Sequence, residues 1–339
     1  MNTGIAPRVV TSSLARTGRR RPAPARATRL GAMRTRLIFG PILIAALLAG
    51  LWLDQLIEGM PWPLRYPPLG FDGSAPPAVV VLPVMLLIAV LGGRELAIML
   101  KAKGVHASRL TLAFAAAVGL LASTPLFANL LSGGEGPADG ASGLASVAAA
   151  MVLLGIVHHA RTRNTQGAML SIGAVLFAFV YLGLTFGFLL RIRLDHSAWV
   201  FVWVLATVKA CDIFAYFTGK AIGKRKLILW LSPGKTWEGL VGGMIGSAIV
   251  GGAGLALLTT ATPFNPGGSP GKIAIAGAFG GACMGLAGQL GDLMASMMKR
   301  DAGIKDSSTL LPGFGGVLDV VDSPILVAPL AYWTLAIWA

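Results

Sequence analysis

In a chain with few charges, ionisable side chains inside apolar runs are the first candidates for chemistry, because a charge in hydrocarbon is costly. Lys209 and Asp212 lie three positions apart in one apolar segment, share a helical face and can pair. Asp292 closes a second such segment, and Asp319 and Asp322, again three apart, open a third. Carboxylates gathered near one membrane face offer oxygen ligands to a hard divalent cation such as Mg2+. A helix dipole would by itself favour Asp319 and Asp322 at a helix N-terminus, but it disfavours Asp292 at the expected C-terminal end of its helix. Asp292, Asp319 and Asp322 are therefore the expected metal ligands.

Two loops beside these carboxylates are strongly basic. GKAIGKRKLILWLSPGKTWEG carries Lys220, Lys224, Arg225, Lys226 and Lys235; SMMKRDAGIKDSSTLLPGFGG carries Lys299, Arg300 and Lys305. Cations facing a carboxylate-bound Mg2+ hold a polyphosphate and stabilise the charge that develops in phosphoryl or nucleotidyl transfer. Basic loops also arise on the cytoplasmic side of membrane proteins with no chemistry attached. Gly234-Lys235-Thr236 imitates the end of a P-loop, but Leu229 stands where the first glycine is required and no apolar strand leads into it, so a Walker-type NTPase is rejected. His106, His158, His159 and His196 show no triad or metal spacing, and two cysteines in apolar stretches, Cys211 and Cys283, argue against structural zinc or a disulfide framework.

The elements that must position these groups follow from composition. Of 339 residues, 55% are hydrophobic and 12% charged, with a mean hydropathy of +0.73; a soluble domain carries about twice that charge. The lipid bilayer must be the solvent for most of the chain. The net charge of +14 does not point to nucleic acid, because nine arginines and no acidic residue fall in residues 1–36, and basic residues beside membrane spans mark sidedness or touch anionic lipid. Residues 1–36, rich in Arg, Ala, Pro, Ser and Thr, read as a basic disordered tail, or as sequence ahead of a start at Met33.

Apolar runs long enough to cross about 30 Å of hydrocarbon then recur. They predict an all-α polytopic membrane protein of about nine transmembrane helices over 37–53, 77–100, 110–131, 142–158, 167–190, 197–218, 237–260, 272–293 and 315–338. The expected division is a tail (1–36), N-terminal membrane helices (37–190) and a C-terminal catalytic region (191–339). A cytoplasmic N-terminus puts 22 of the 28 basic residues in the tail and the inside loops. Gly243, Ser247 and Gly251, and likewise Gly277, Gly281 and Gly285, form small-residue ridges at i, i+4 spacing that let helices approach closely, within one chain or between the copies of a homodimer.

At the two basic loops the sequence resembles the phosphatidate cytidylyltransferase (CDP-diglyceride synthase) family. The family pattern S-x-x-K-R-x4-K-D, P-G-H-G-G, D-R-x-D is met by Ser296, Lys299-Arg300, Lys305-Asp306, Pro312-Gly313-Phe314-Gly315-Gly316, Asp319 and Asp322. Asp212 to Phe217, Gly223-Lys224 and Ser232 to Gly239 match a second block, and Gly291-Asp292-Leu293 a third, so the likeness covers roughly 180–325. Phe314 replaces the family's histidine and Val320 its arginine.

The resemblance implies transfer of a cytidylyl group from CTP to phosphatidic acid at the cytoplasmic face of the cell membrane, with Mg2+ as cofactor. Carried over residue by residue, it makes Asp292, Lys305, Asp306, Asp319 and Asp322 catalytic. Asp212, Lys224, Ser232, Lys235, Ser296, Lys299 and Arg300 become substrate-binding. Three rivals stand beside this expectation. They are a CTP-dependent kinase or cytidylyltransferase acting on another lipid phosphate, a non-catalytic homologue, and a transporter using Lys209, Asp212 and Asp292 as an ion path.

Overall fold

The computed structural model describes residues 26–66, 71–125, 127, 140–262, 264 and 267–338. Among these, the chain forms nine main helices: α1 (Arg26–Ile57), α2 (Val81–Ala102), α3 (Arg109–Ala122), α4 (Gly140–Ala160), α5 (Ala168–Asp195), α6 (Ala198–Ile222), α7 (Trp237–Ala261), α8 (Pro270–Asp301) and α9 (Leu318–Trp338). Two antiparallel hairpins complete it, β1 (Pro61–Tyr66) with β2 (Phe71–Ser74), and β3 (Lys226–Ile228) with β4 (Ser232–Thr236). Eight of the helices are long and apolar enough to span a membrane. With every backbone group satisfied inside the helix, such segments are suited to lipid.

Four boundaries differ from the sequence expectation. α1 begins at Arg26, so the last part of the stretch expected to be disordered is helical; the Ala, Leu, Met and Arg there are good helix formers. α3 has 14 residues, about 21 Å of helix, short of a full crossing; most of the remainder of the expected third span lies outside the described residues. α8 continues to Asp301, which leaves Asp292 well inside it rather than at its C-terminal end. The dipole argument against a structural Asp292 therefore lapses. The fifth helix likewise runs past the boundary drawn at residue 190, and its middle, Ala178–Thr185, widens into a π-helix.

The glycine ridges are spent within the chain. A Cβ on Gly251 would lie 2.5 Å from the carbonyl oxygen of Gly277, and one on Gly285 2.7 Å from Ser247 Oγ. α7 and α8 therefore touch backbone to backbone, and α6 packs along both. α9 lies against α8 and the final turns of α5, joining the C-terminal helices to a cluster of α2, α3 and α5.

The chain alternates direction, so charges gather at two opposite ends. At one end Arg193 is wholly buried, pairing with Asp54 at 2.7 Å and Glu58 at 2.9 Å and donating to the carbonyl of His196 at 3.1 Å. Asp54 also accepts the N–H groups of Val80 (2.6 Å) and Val81 (3.3 Å), capping α2. A buried ion pair is tolerable only with such added hydrogen bonds. Arg193, near the end of α5, is thus a structural fastener of α1, α2 and α5. At the other end Lys103, after α2, meets Asp301 of α8 at 2.8 Å. Near the start of α3 and end of α4, His106 and His159 approach edge to face at 6.2 Å, and His158 Nδ1 lies 3.3 Å from Thr111 Oγ1. His106 and His159, 53 positions apart in sequence, therefore meet in space.

Candidate active site

The end marked by Lys103 and Asp301 holds a cavity of about 640 Å3 walled by α6, the β3–β4 hairpin, α8 and α9. One face of α6 contributes Lys209, Asp212, Tyr216 and Lys220, spaced 3, 4 and 4 residues apart as a helical stripe requires. Lys209 meets Asp212 at 3.2 Å, and the Lys220 ammonium lies 5.7 Å from the centre of the Tyr216 ring. Gln289 and Asp292, three apart on α8, line the opposite wall with Asp319, Asp322 and Ser323 of α9.

The carboxylates are cross-linked between elements. Gln289 donates its amide to Asp212 at 3.1 Å, tying α8 to α6. Lys235, at the end of β4, reaches Asp292 at 2.8 Å and the carbonyl of Gln289 at 3.3 Å. Lys299 pairs with Asp319 at 2.7 Å. Asp322 is buried and accepts hydrogen bonds from Ser323, and among the described residues it has no ion-pair partner. A Cβ on Gly291 would lie 2.5 Å from the carbonyl of Asp322. Only glycine lets α8 and α9 come this close, and that contact sets Asp292 beside Asp322.

The segment Lys235-Thr236-Trp237-Glu238-Gly239 divides between positioning and chemistry. Thr236 is the N-cap of α7, its hydroxyl accepting the N–H of Gly239 at 3.1 Å. Glu238 accepts the N–H of Arg225 at 3.2 Å, and the N–H of Trp237 donates to the carbonyl of Arg225 at 3.0 Å, which fastens the hairpin to α7. Gly239 is buried against α6. These contacts leave Lys235 as the residue of the segment that pairs with a carboxylate in the cavity.

Of the residues singled out from sequence, Asp212, Ser232, Lys235, Asp292, Asp319 and Asp322 line the cavity together. Lys299 joins them through Asp319. The others stand outside its lining. Lys224, Arg300, Lys305 and Asp306 are exposed, Arg300 donating to the carbonyl of Ile304 at 3.3 Å, and Ser296 is half-buried on α8. Phe314, in the family's histidine position, points toward α1, where a Cβ on Gly40 would meet its ring at 3.4 Å.

One further carboxylate supports the site from inside the span expected over 77–100, where its position in an apolar run was the available signal. Glu95 of α2 is buried and accepts four hydrogen bonds: from the hydroxyls of Ser307 (2.8 Å) and Ser308 (2.7 Å), and from the N–H groups of Val317 (2.9 Å) and Leu318 (3.0 Å). It caps α9 from another helix and holds the loop before it. The same loop serves Asp319, which accepts the N–H groups of Ser307 and Gly316, both at 2.8 Å.

An oxygen-only donor set suits a hard cation, and a buried Asp322 with no basic partner is where one would be needed. Asp292 and Asp319 are each closed by a lysine, and among the described residues no three His, Cys, Asp or Glu side chains form a ready cage. The donors fit Mg2+ on condition that Lys235 and Lys299 release their carboxylates.

Comparison with known proteins gives the family. The model of the cytidylyltransferase family matches residues 74–338. The chain belongs to that family. It is similar to the phosphatidate cytidylyltransferase of Bacillus subtilis, with 32% identity over 204 residues, 60% of this chain and 71% of that one. It is similar to the phosphatidate cytidylyltransferase of Haemophilus influenzae, with 40% identity over 178 residues, 46% of this chain and 54% of that one. The Escherichia coli protein YnbB is 37% identical over 154 residues, 41% of this chain and 48% of that one. The chain thus spans about half the length of the last two relatives.

Proposed function

We propose that this cytidylyltransferase-family protein transfers the cytidylyl group of CTP to phosphatidate, giving CDP-diacylglycerol and pyrophosphate, at the cytoplasmic face of the membrane. The observation that carries the reading is the clustering of Asp212, Asp292, Asp319 and Asp322 with Lys209 and Lys235 in one cavity at the end of spanning helices. A lipid phosphate can reach such a cavity from the bilayer and a nucleotide from water. Relatives named phosphatidate cytidylyltransferase support the substrates. The excess of basic residues in the loops at this end supports the cytoplasmic side.

In this reading an oxygen of the lipid phosphate attacks the α-phosphorus of CTP. A new P–O bond forms, the α–β phosphoanhydride bond breaks, and pyrophosphate leaves with the electron pair. The attacking phosphate is already ionised near neutral pH, so no strong general base is needed. Lys235 and Lys299 exchange their carboxylates for phosphate oxygens and hold the triphosphate in line. Asp292, Asp319 and Asp322 would hold Mg2+, which when bound neutralises charge on the phosphates and the leaving group. Asp212 and Lys209 border the cavity on its α6 wall.

Purified protein given CTP, phosphatidic acid and Mg2+ should release one pyrophosphate per lipid converted and lose this activity in excess EDTA. Full activity in EDTA would overturn the metal assignment. Absence of turnover with any lipid phosphate would overturn the function.

A further inference from the structure

The β3–β4 hairpin has two faces with different chemistry. Leu227, Ser232, Lys235 and Thr236 line the cavity, and Leu231 is buried beneath it. The tip carries Leu229 and Trp230 outward, 67% and 76% exposed. Large exposed side chains on the spanning helices need no explanation beyond lipid. These two belong to a loop between helix ends, where water would otherwise be the solvent, and a paired apolar tip there calls for a surface to enter.

The surroundings say which surface. The hairpin joins the ends of two spanning helices, α6 and α7, so it starts at the membrane boundary. Phe217 in the last turns of α6 and Trp237 opening α7 are both exposed at the same end, aromatic anchors of the kind found at membrane interfaces. Lys224, Arg225 and Lys226, exposed on the arm leading to the tip, complement anionic headgroups. The arm is held by the bonds of Arg225 to Glu238 and Trp237, so the tip is presented on a fixed base.

We propose that Leu229 and Trp230 insert into the interface of an anionic lipid leaflet and that Lys224, Arg225 and Lys226 gather phosphate-bearing lipids at the mouth of the cavity. The insertion stands on the hairpin's own geometry; the gathering rests on the reading of the site as one that takes a lipid phosphate. The apolar tip and the basic arm together form a two-part interfacial anchor, in which neither part need be strong alone.

The test uses the full chain in lipid nanodiscs. With Cys283 replaced by Ala and Cys211 left in its buried position, Trp230→Cys carries a nitroxide, and Thr309→Cys, in the exposed loop before α9, carries the same label as a water-side reference. Collisions with oxygen, favoured in lipid, should exceed those with a water-soluble nickel chelate several-fold at position 230 relative to position 309. Equal chelate access at the two positions overturns the insertion, and protection of position 230 only at high protein concentration shows that a second copy, not lipid, covers the tip. The double variant Arg225→Gln, Lys226→Gln, which leaves the apolar tip and the cavity lining intact, should raise the KM for phosphatidate in anionic discs about tenfold while leaving the KM for CTP and kcat within about twofold. An unchanged lipid KM overturns the gathering. No turnover by the unaltered protein would instead overturn the function and leave the depth measurement to decide the insertion.

Discussion

Glu95 on α2 and Asp319 on α9 approach the same hydroxyl, Ser307 Oγ lying 2.8 Å from one carboxylate and 2.9 Å from the other. One hydroxyl proton serves only one acceptor at a time. The N–H of Ser307 already donates to Asp319 at 2.8 Å, which leaves the hydroxyl proton for Glu95. Glu95 therefore sets the loop that sets Asp319, without reaching the cavity lining itself. A side chain at Gly316 would occupy the space filled by Ser307 Oγ and the Glu95 carboxylate, so the spacing of this junction is fixed by glycine as well.

Glu95→Gln keeps the shape but leaves one amide oxygen to serve four donors. The unsatisfied groups should cost about 1–3 kcal/mol, read as a lower melting temperature in detergent. Loosening of Asp319 should lower kcat by about tenfold or more at temperatures where the variant is folded. Unchanged kcat would separate Glu95 from the site.

Gly291→Ala should be far more damaging than a methyl group suggests, since the new Cβ meets the Asp322 carbonyl at 2.5 Å. The expected loss is about 1–3 kcal/mol from overpacking, with activity falling as Asp292 and Asp322 separate. Gly173→Ala on α5, where a Cβ meets nothing within 4 Å, is the control and should leave melting and activity unchanged or slightly improve melting. Equal effects of the two substitutions would refute the close approach of α8 and α9.

The two ends of the bundle should respond differently. Arg193→Ala strands the fully buried Asp54 without its cation and should cost about 3–5 kcal/mol. The variant's melting temperature should drop, while kcat per folded molecule in the cold stays near that of the parent. A selective loss of kcat with no change in melting would contradict the purely structural role of this end.

Two lysines that sequence spacing treats alike should part company. Lys235→Ala removes a cation 2.8 Å from Asp292 and should reduce kcat/KM for CTP by about 100-fold. Lys305→Ala removes an exposed side chain outside the cavity lining and should change it by less than about threefold at physiological salt. Similar losses in steady-state assays would support the catalytic role that the family resemblance implies for Lys305.

The apolar runs and the i, i+3 aspartates announced the helices and the carboxylates because both signals are local. Hydrophobic length reports a span, and a carboxylate inside one has few explanations. Glu95 carries the same local signal, a carboxylate inside an apolar run, but its role was not legible because its partners lie on a loop more than 200 residues later and nothing near it in the chain announces them. Gln289 was legible in principle, being an amide three residues before Asp292 in an apolar helix, but an uncharged residue raises no alarm in a composition count. Lys305 and Asp306 had the right spacing within a family pattern, yet spacing along a loop does not say which side chains turn inward. The burial of Arg193 is not legible locally, because it depends on Asp54 and Glu58, which come from another helix.

The position of the bond that breaks in CTP tests the central claim most directly. Purified protein in nanodiscs containing phosphatidate should be given CTP radiolabelled at the α-phosphorus in one reaction and at the γ-phosphorus in another. Cytidylyl transfer predicts label in the extracted lipid from the α-labelled nucleotide alone, with the γ-label in pyrophosphate, and loss of both products in Asp292→Asn. Lipid labelled from the γ-position would reveal a kinase, and no label in lipid from either nucleotide would contradict the account.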